Sequence, residues 1–85
     1  MENYSLEMKA SVARDLRRIP TKDLRRILAQ IEHLARDPGP LGCEKLSGLE
    51  RYRIRQGMYR ILYEVNDATR RVLIVKVAHR REAYR

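Results

Sequence analysis

The sequence predicts an α+β domain in the order β-α-α-β-β-β, a helical hairpin packed on one face of a small, mainly antiparallel four-stranded sheet. Three observations predict it. Apolar residues alternate with polar ones near the start of the chain and again after residue 49, which is the period of strands. Between these regions, from Ser11 to Ala35, the apolar residues recur at helical spacing. The two regimes are separated by Asp37-Pro38-Gly39-Pro40, a cluster of turn-forming residues. The 85 residues make one domain, 1–85, with a thin core.

Each element follows from its residues. Tyr4-Ser5-Leu6-Glu7-Met8-Lys9 alternates as a half-buried strand does. Val12, Leu16 and Ile19 fall on one face of a short helix from Ser11 to Ile19. Pro20 ends it, and with Thr21 opens the next helix, because proline suits a first helical turn and no later one. In that second helix Leu24, Ile27, Leu28, Ile31, Leu34 and Ala35 form the apolar stripe. After a loop through Leu41-Gly42-Cys43-Glu44, strands are expected over Glu50–Arg55, Met58–Val65 and Arg71–Ala78, with turns at Gln56-Gly57 and Asn66-Asp67-Ala68-Thr69. The run Val72-Leu73-Ile74-Val75 reads as a central strand covered on both faces.

Several function classes drop out early. No apolar run approaches the ~18 residues that cross a bilayer. Met1-Glu2-Asn3-Tyr4-Ser5 has neither the basic flank nor the apolar stretch of a secretory signal, so a cytoplasmic location is expected. The single cysteine, Cys43, forms no internal disulfide and no multi-cysteine zinc site; it reads as a small loop filler. No Asp/Glu/His cluster has metal-ligand spacing, so nothing in the spacing points to a metal or another cofactor. His33, flanking the apolar stripe, reads as a helix-surface histidine.

The net charge is +8, and it is unevenly placed. Residues 1–44 carry eight Lys/Arg against seven acids, 8 − 7 = +1, and residues 45–85 carry eleven against four, 11 − 4 = +7. Fifteen of the 19 bases are arginine, whose planar fork suits phosphate. A concentrated Arg-rich field predicts a polyanionic partner, nucleic acid first and an acidic protein second.

Strand alternation says which bases share a surface. Arg51, Arg53 and Arg55 point one way, with Tyr52 and Ile54 the other. Arg60, Leu62 and Glu64 oppose Tyr59, Ile61, Tyr63 and Val65, while Lys76, Ala78 and Arg80 oppose Leu73, Val75, Val77 and His79. If the apolar sets lie under the helices, Arg53, Arg55 and Arg60 share the open face, and a meander sets Arg80 beside them. Edge strands do carry a protective base or two, but Arg51 to Tyr63 holds four arginines and no acid. Tyr4, Tyr52, Tyr59 and Tyr63 read as core or rim, since the chain has no Phe or Trp.

At these residues the sequence resembles a known family. Lys45-Leu46-Ser47-Gly48-Leu49, Tyr52-Arg53-Ile54-Arg55, Tyr59-Arg60-Ile61-Leu62-Tyr63 and the tail Ala78-His79-Arg80-Arg81-Glu82-Ala83-Tyr84-Arg85 look like the middle and C-terminal signature of the RelE toxins. The resemblance implies the RelE-like fold of microbial ribonucleases and the toxin role in a type II toxin–antitoxin system. It implies metal-independent cleavage of messenger RNA in the ribosomal A site, and an acidic RelB-like antitoxin as partner. The wider RelE/ParE superfamily includes the ParE branch, which instead poisons DNA gyrase. A basic module that only binds an antitoxin is the third possibility.

By position, the resemblance implies that Arg53 and Arg55 lie near the scissile phosphate. It implies that Arg60 stabilises the pentacovalent intermediate, that Arg80 assists the leaving oxygen, and that Tyr84 orients the nucleotide or moves a proton. Lys45, Lys76 and Arg81 are further candidates for phosphate contact. Cleavage by a 2′-hydroxyl needs a base, an acid for the 5′-oxygen, and positive charge on the developing dianion. Arginine supplies only the last, because guanidinium stays protonated. Where some RelE proteins have lysines this chain has Arg53 and Arg55, which leaves Tyr84 and His79 as alternative bases.

Overall fold

The computed structural model describes residues 3–40, 42–46 and 51–81. Its elements are β1 (Ser5–Met8), α1 (Ala10–Arg17), α2 (Thr21–Arg36), β2 (Glu44–Lys45), β3 (Arg51–Gln56), β4 (Tyr59–Asn66) and β5 (Arg71–His79). They form one mixed sheet in the order β1-β5-β4-β3-β2, with both helices on one face. The α+β class and the element order are as expected. The sheet has five strands rather than four, because Glu44 and Lys45 pair antiparallel with Arg53 and Tyr52. A strand of two residues is too short to show a period, so it reads from sequence as loop.

Although α1 ends at Arg17 rather than at Ile19, α2 begins where the sequence suggests, directly after Pro20. Pro20 has extended backbone, φ −54° and ψ 143°, and its carbonyl accepts the first bond of α2 from the Leu24 N–H at 2.9 Å. After α2, Asp37 Oδ1 accepts the Gly39 N–H at 3.1 Å, an Asx turn that redirects the chain to the sheet edge. Val12 and Leu16 of α1 and Ile27, Ile31 and Leu34 of α2 cover Ile54, Ile61, Tyr63, Val72, Ile74 and Val77. Leu28, placed in the apolar stripe by its spacing, is 39% exposed. It lies about 100° around the helix from Ile27, beyond the edge of the sheet-facing stripe. Tyr63 is fully buried, stacks on Tyr52 at 5.6 Å, and donates its hydroxyl to the Pro38 carbonyl at 2.7 Å. That bond satisfies the one polar atom of an otherwise apolar ring.

Two more expectations change. β1 lies parallel to β5 at the sheet edge and is exposed along its length rather than half-buried. β5 is next to that edge; its helix-facing side is buried, while on the other side Leu73 is partly exposed, Lys76 exposed and Ala78 buried. Its continuous apolar run has another cause. The β4–β5 register shifts between Leu62 and Tyr63, so Val75 is an extra residue and the alternation resets there. Val72 and Ile74 before the bulge, and Val77 and His79 after it, share the helix face; Leu73 lies on the other. Among the described residues no helix is long and apolar enough to cross a membrane.

Candidate nucleic-acid interface on the open sheet face

The sheet face away from the helices is a grid fixed by strand register, because directly paired residues project to the same side. One row runs Glu7, Leu73, Glu64, Arg51; the next runs Lys76, Leu62, Arg53, Glu44; the third runs Ala78, Arg60, Arg55. The sequence expectation of Arg53, Arg55 and Arg60 on one open face therefore agrees with the register.

The β3–β4 hairpin holds the third row in place. Gln56 closes β3 opposite Tyr59, so the turn is Gly57-Met58, one residue later than the sequence suggested. Gly57 has φ +60°, which a hairpin with glycine at its first central position requires. The Met58 carbonyl accepts the Arg80 N–H at 2.7 Å, which carries the ladder past the end of β5 and sets Arg80 beside the turn. Arg55, Gly57, Met58, Tyr59, Arg60, Arg80 and Arg81 line a cleft of about 430 Å³. Arg60 is only 6% exposed. Ala78, the side chain directly across from it on β5, leaves space for a guanidinium to lie down.

Arg55 and Arg60 are direct cross-strand partners. Two like charges so placed destabilise a sheet. Among the described residues the acid shown to feel these charges is Glu44, supplied by the short strand β2. Its Oε2 accepts a bond from Arg53 Nη2 at 2.6 Å. That hydrogen bond, reinforced by the charges of Arg53, Arg55 and Arg60, holds the carboxyl below its ordinary range. Glu44 is thus a carboxylate within the arginine field. Sequence reasoning missed it, because its orientation depends on a strand too short to be read.

The other sequence candidates separate. His79 projects to the helix face, where its ring meets Tyr59 edge-on at 5.4 Å and its Nδ1 accepts the Arg81 N–H at 3.3 Å. The structure does not bring it to the arginine cleft, as the alternation argument already implied. Lys45 is registered opposite Tyr52 and leaves β2 on the side away from Glu44. Lys76 lies in the second row, but its ammonium is 3.5 Å from Asp15 of α1. Arg81 lines the cleft. Tyr84 lies outside the described residues, as do Ser47, Gly48 and Leu49 of the Lys45–Leu49 motif. Among the described residues no three His, Cys, Asp or Glu side chains group as metal ligands.

A larger cavity, about 840 Å³, opens at the far end of the same face, lined by Glu7, Arg51, Glu64, Asp67 and Arg71 among others. There the charges are paired: Arg51 with Glu64 at 2.6 Å and Arg71 with Glu7 at 3.8 Å.

Four matches relate the chain to known proteins. Residues 6–84 match the family model described as the ParE toxin of the type II toxin-antitoxin system, parDE. Toxin RelE of Mycobacterium tuberculosis is 33% identical over 84 residues, covering 96% of this chain and 87% of that protein. Toxin RelG of the same organism is 30% identical over 86 residues, covering 96% and 97%. The solved archaeal RelE–RelB complex from Pyrococcus horikoshii superposes with a TM-score of 0.84 at 30% identity, over 92% of this chain and 96% of that one.

Proposed function

Since this chain belongs to the ParE toxin family of type II toxin–antitoxin systems, within the RelE/ParE superfamily, we propose that it is a ribosome-dependent, metal-independent endoribonuclease of the RelE kind. The observation that carries this reading is the cleft in which Arg55, Arg60, Arg80 and Arg81 converge. Holding four cations together costs folding free energy, and a bound phosphate recovers it.

In the proposed reaction the 2′-oxygen of a message nucleotide attacks its own 3′-phosphorus. A 2′,3′-cyclic phosphate forms, the P–O5′ bond breaks, and the 5′-oxygen leaves protonated. Arg60, with Arg55 beside it, stabilises the dianionic phosphorane, and Arg53 and Arg81 hold the flanking backbone. Glu44 takes the 2′-hydroxyl proton on Oε1, since Arg53 Nη2 donates to its Oε2. Arg80 stabilises the leaving oxygen, and Tyr84 at the C-terminal motif stacks on the nucleotide and delivers its proton. A carboxylate beside arginines removes the difficulty that arginine alone makes a poor base. The ribosome's contribution is to hold the message in the attack geometry.

The partner in the same proposal is an acidic RelB-like antitoxin, as in the archaeal RelE–RelB complex. The name of the matching family supports a second reading, a gyrase inhibitor of the ParE kind, which needs no phosphate-cleaving set. Primer extension on messages translated in a purified system separates the two. Cleavage within codons, reduced 10²–10³-fold by Arg60→Ala, supports the ribonuclease. Intact messages together with gyrase-dependent DNA breaks select the gyrase reading.

A further inference from the structure

Phosphate contacts position a nucleic acid without reading its sequence, and the arginine cleft offers little else. Four of the side chains around it are arginines, and the ring of Tyr59 is turned to the helix face, edge-on to His79. Gly57 has no side chain, which leaves Met58. Met58 is 49% exposed, the most open of the exposed large apolar residues among those described. The others, Leu6, Met8 and Leu28, belong to β1 and α2, so Met58 is the one at the cleft. Nothing in the turn requires an apolar residue there. Gly57 supplies the positive φ, and the residue after such a glycine is ordinarily polar. The backbone of Met58 is fixed, because its carbonyl accepts the Arg80 N–H at 2.7 Å. The thioether is therefore carried beside Arg80, at the end of the sheet beyond the pair of Arg55 and Arg60.

We propose that Met58 is the specificity-determining residue of the cleft: the nucleobase on the 3′ side of the cut packs against its thioether. The inference rests on the ribonuclease reading above for where the cut lies. In that reading Arg80 attends the leaving 5′-oxygen, which belongs to the 3′ nucleotide. The base of that nucleotide is one sugar away from the oxygen, and the apolar side chain next to Arg80 is Met58. A thioether is polarisable and packs well on an aromatic ring. It has no donor and only a weak acceptor, so it does not read the hydrogen-bonding edge of a base. It discriminates by contact area instead. A purine covers more of it than a pyrimidine does, and an abasic sugar covers none. The selectivity is thus graded, purine over pyrimidine immediately after the cut.

The test is a nuclear magnetic resonance titration of the purified full-length protein, its methionine methyl groups labelled with carbon-13, with dinucleotides at low salt. Their 5′ nucleoside is 2′-deoxy, so they are not cut, and their 3′ nucleoside carries adenine, cytosine or no base. The chain has three methionines, and Met58→Leu identifies the Met58 signal by its loss. That signal is expected to move upfield with adenine, to move less with cytosine, and to stay in place with the abasic dinucleotide. The adenine dinucleotide is expected to bind about fivefold more tightly than the abasic one. Met58→Ala is expected to bind the two equally, and Met58→Leu to keep most of the difference; both variants change only an exposed side chain. A Met58 signal that does not respond to adenine overturns the proposal, whether or not the dinucleotide binds. So does the full difference retained in Met58→Ala, which assigns the base to a stacked guanidinium. Arg60→Ala is expected to weaken all three dinucleotides alike, and unchanged affinity there overturns the proposal by placing them outside the cleft. Primer extension separates the two readings. Messages left intact beside a responding Met58 signal sink the ribonuclease reading and leave the base contact standing. Cleavage with the same base preference in Met58→Ala as in the parent sinks this inference alone.

Discussion

At one end of the open sheet face, Arg51 and Arg71 each meet a carboxylate, Glu64 and Glu7. At the other end Arg55 and Arg60 face each other across β3 and β4, with Arg80 and Arg81 close by and Glu44 as the acid in their field. The ion-paired end has the larger cavity, about 840 Å³ against about 430 Å³. Volume therefore points to the wrong end for phosphate chemistry. What distinguishes the arginine end is the close packing of like charges, Arg55 directly across from Arg60, at some cost to the fold, which is how sites built for function differ from sites built for stability.

The comparison breaks most directly if the arginine end is made to look like the paired end. Ala78→Glu places a carboxylate directly across β4 from Arg60. That carboxylate is expected to take the place of the substrate phosphate and lower message cleavage by more than about 10²-fold, while in stability the new ion pair is offset by the crowding of a larger side chain at buried Ala78. Thermal unfolding and primer extension measure the two effects. Cleavage at the parental rate in a folded Ala78→Glu protein would show that the phosphate sits elsewhere.

Glu44 sharpens the comparison, because it is the acid that the arginine end retains. Glu44→Gln keeps a hydrogen-bond acceptor for Arg53 and removes the base. Cleavage is expected to fall about 10²-fold, with binding of a message carrying a 2′-deoxy nucleotide at the cut unchanged or tighter. The pH profile gives a separate check. Arg53 holds the folded-state carboxyl below its ordinary value. The pair's stabilisation is thus complete above the unfolded glutamate pKa of about 4.3 and is lost only as pH falls through the lower folded value. With Glu44 as base the rate is flat between pH 7.5 and 5.5. A rate that falls as the pH is lowered through that range would remove Glu44 as the base.

Why some of this was legible in the sequence and some was not follows from periodicity. The two helices, their junction at Pro20 and the shared face of Arg53, Arg55 and Arg60 each rest on a repeat that extends over several residues. The bulge at Val75 and the strand Glu44–Lys45 do not, since one extra residue and a pair of residues have no period of their own. The bulge cost the sequence reading the facing of Val72, Leu73, Ile74 and Val75, but not of Lys76 or Ala78, which lie beyond it. The short strand cost it Glu44, the acid in the site. Ion pairing was illegible for another reason: Glu7–Arg71, Asp15–Lys76 and Glu44–Arg53 join distant parts of the chain. A sum of charges over each half therefore located the excess differently from the fold.

The smallest effect is expected at the paired end. Glu64→Gln removes the partner of Arg51 from a site where both side chains are substantially solvated, 33% and 40% exposed. Water already screens that pair, so its loss is expected to cost at most about 1 kcal/mol. Raising salt should shrink the difference between variant and parent further. Cleavage should stay at the parental rate, because Arg51 lies one row beyond Arg53 and two beyond the pair of Arg55 and Arg60. Denaturant titration at low and high salt, with primer extension beside it, measures all three. If unpairing Arg51 instead lowers cleavage while stability is kept, the message backbone runs the length of the sheet. The paired end would then be part of the same binding track.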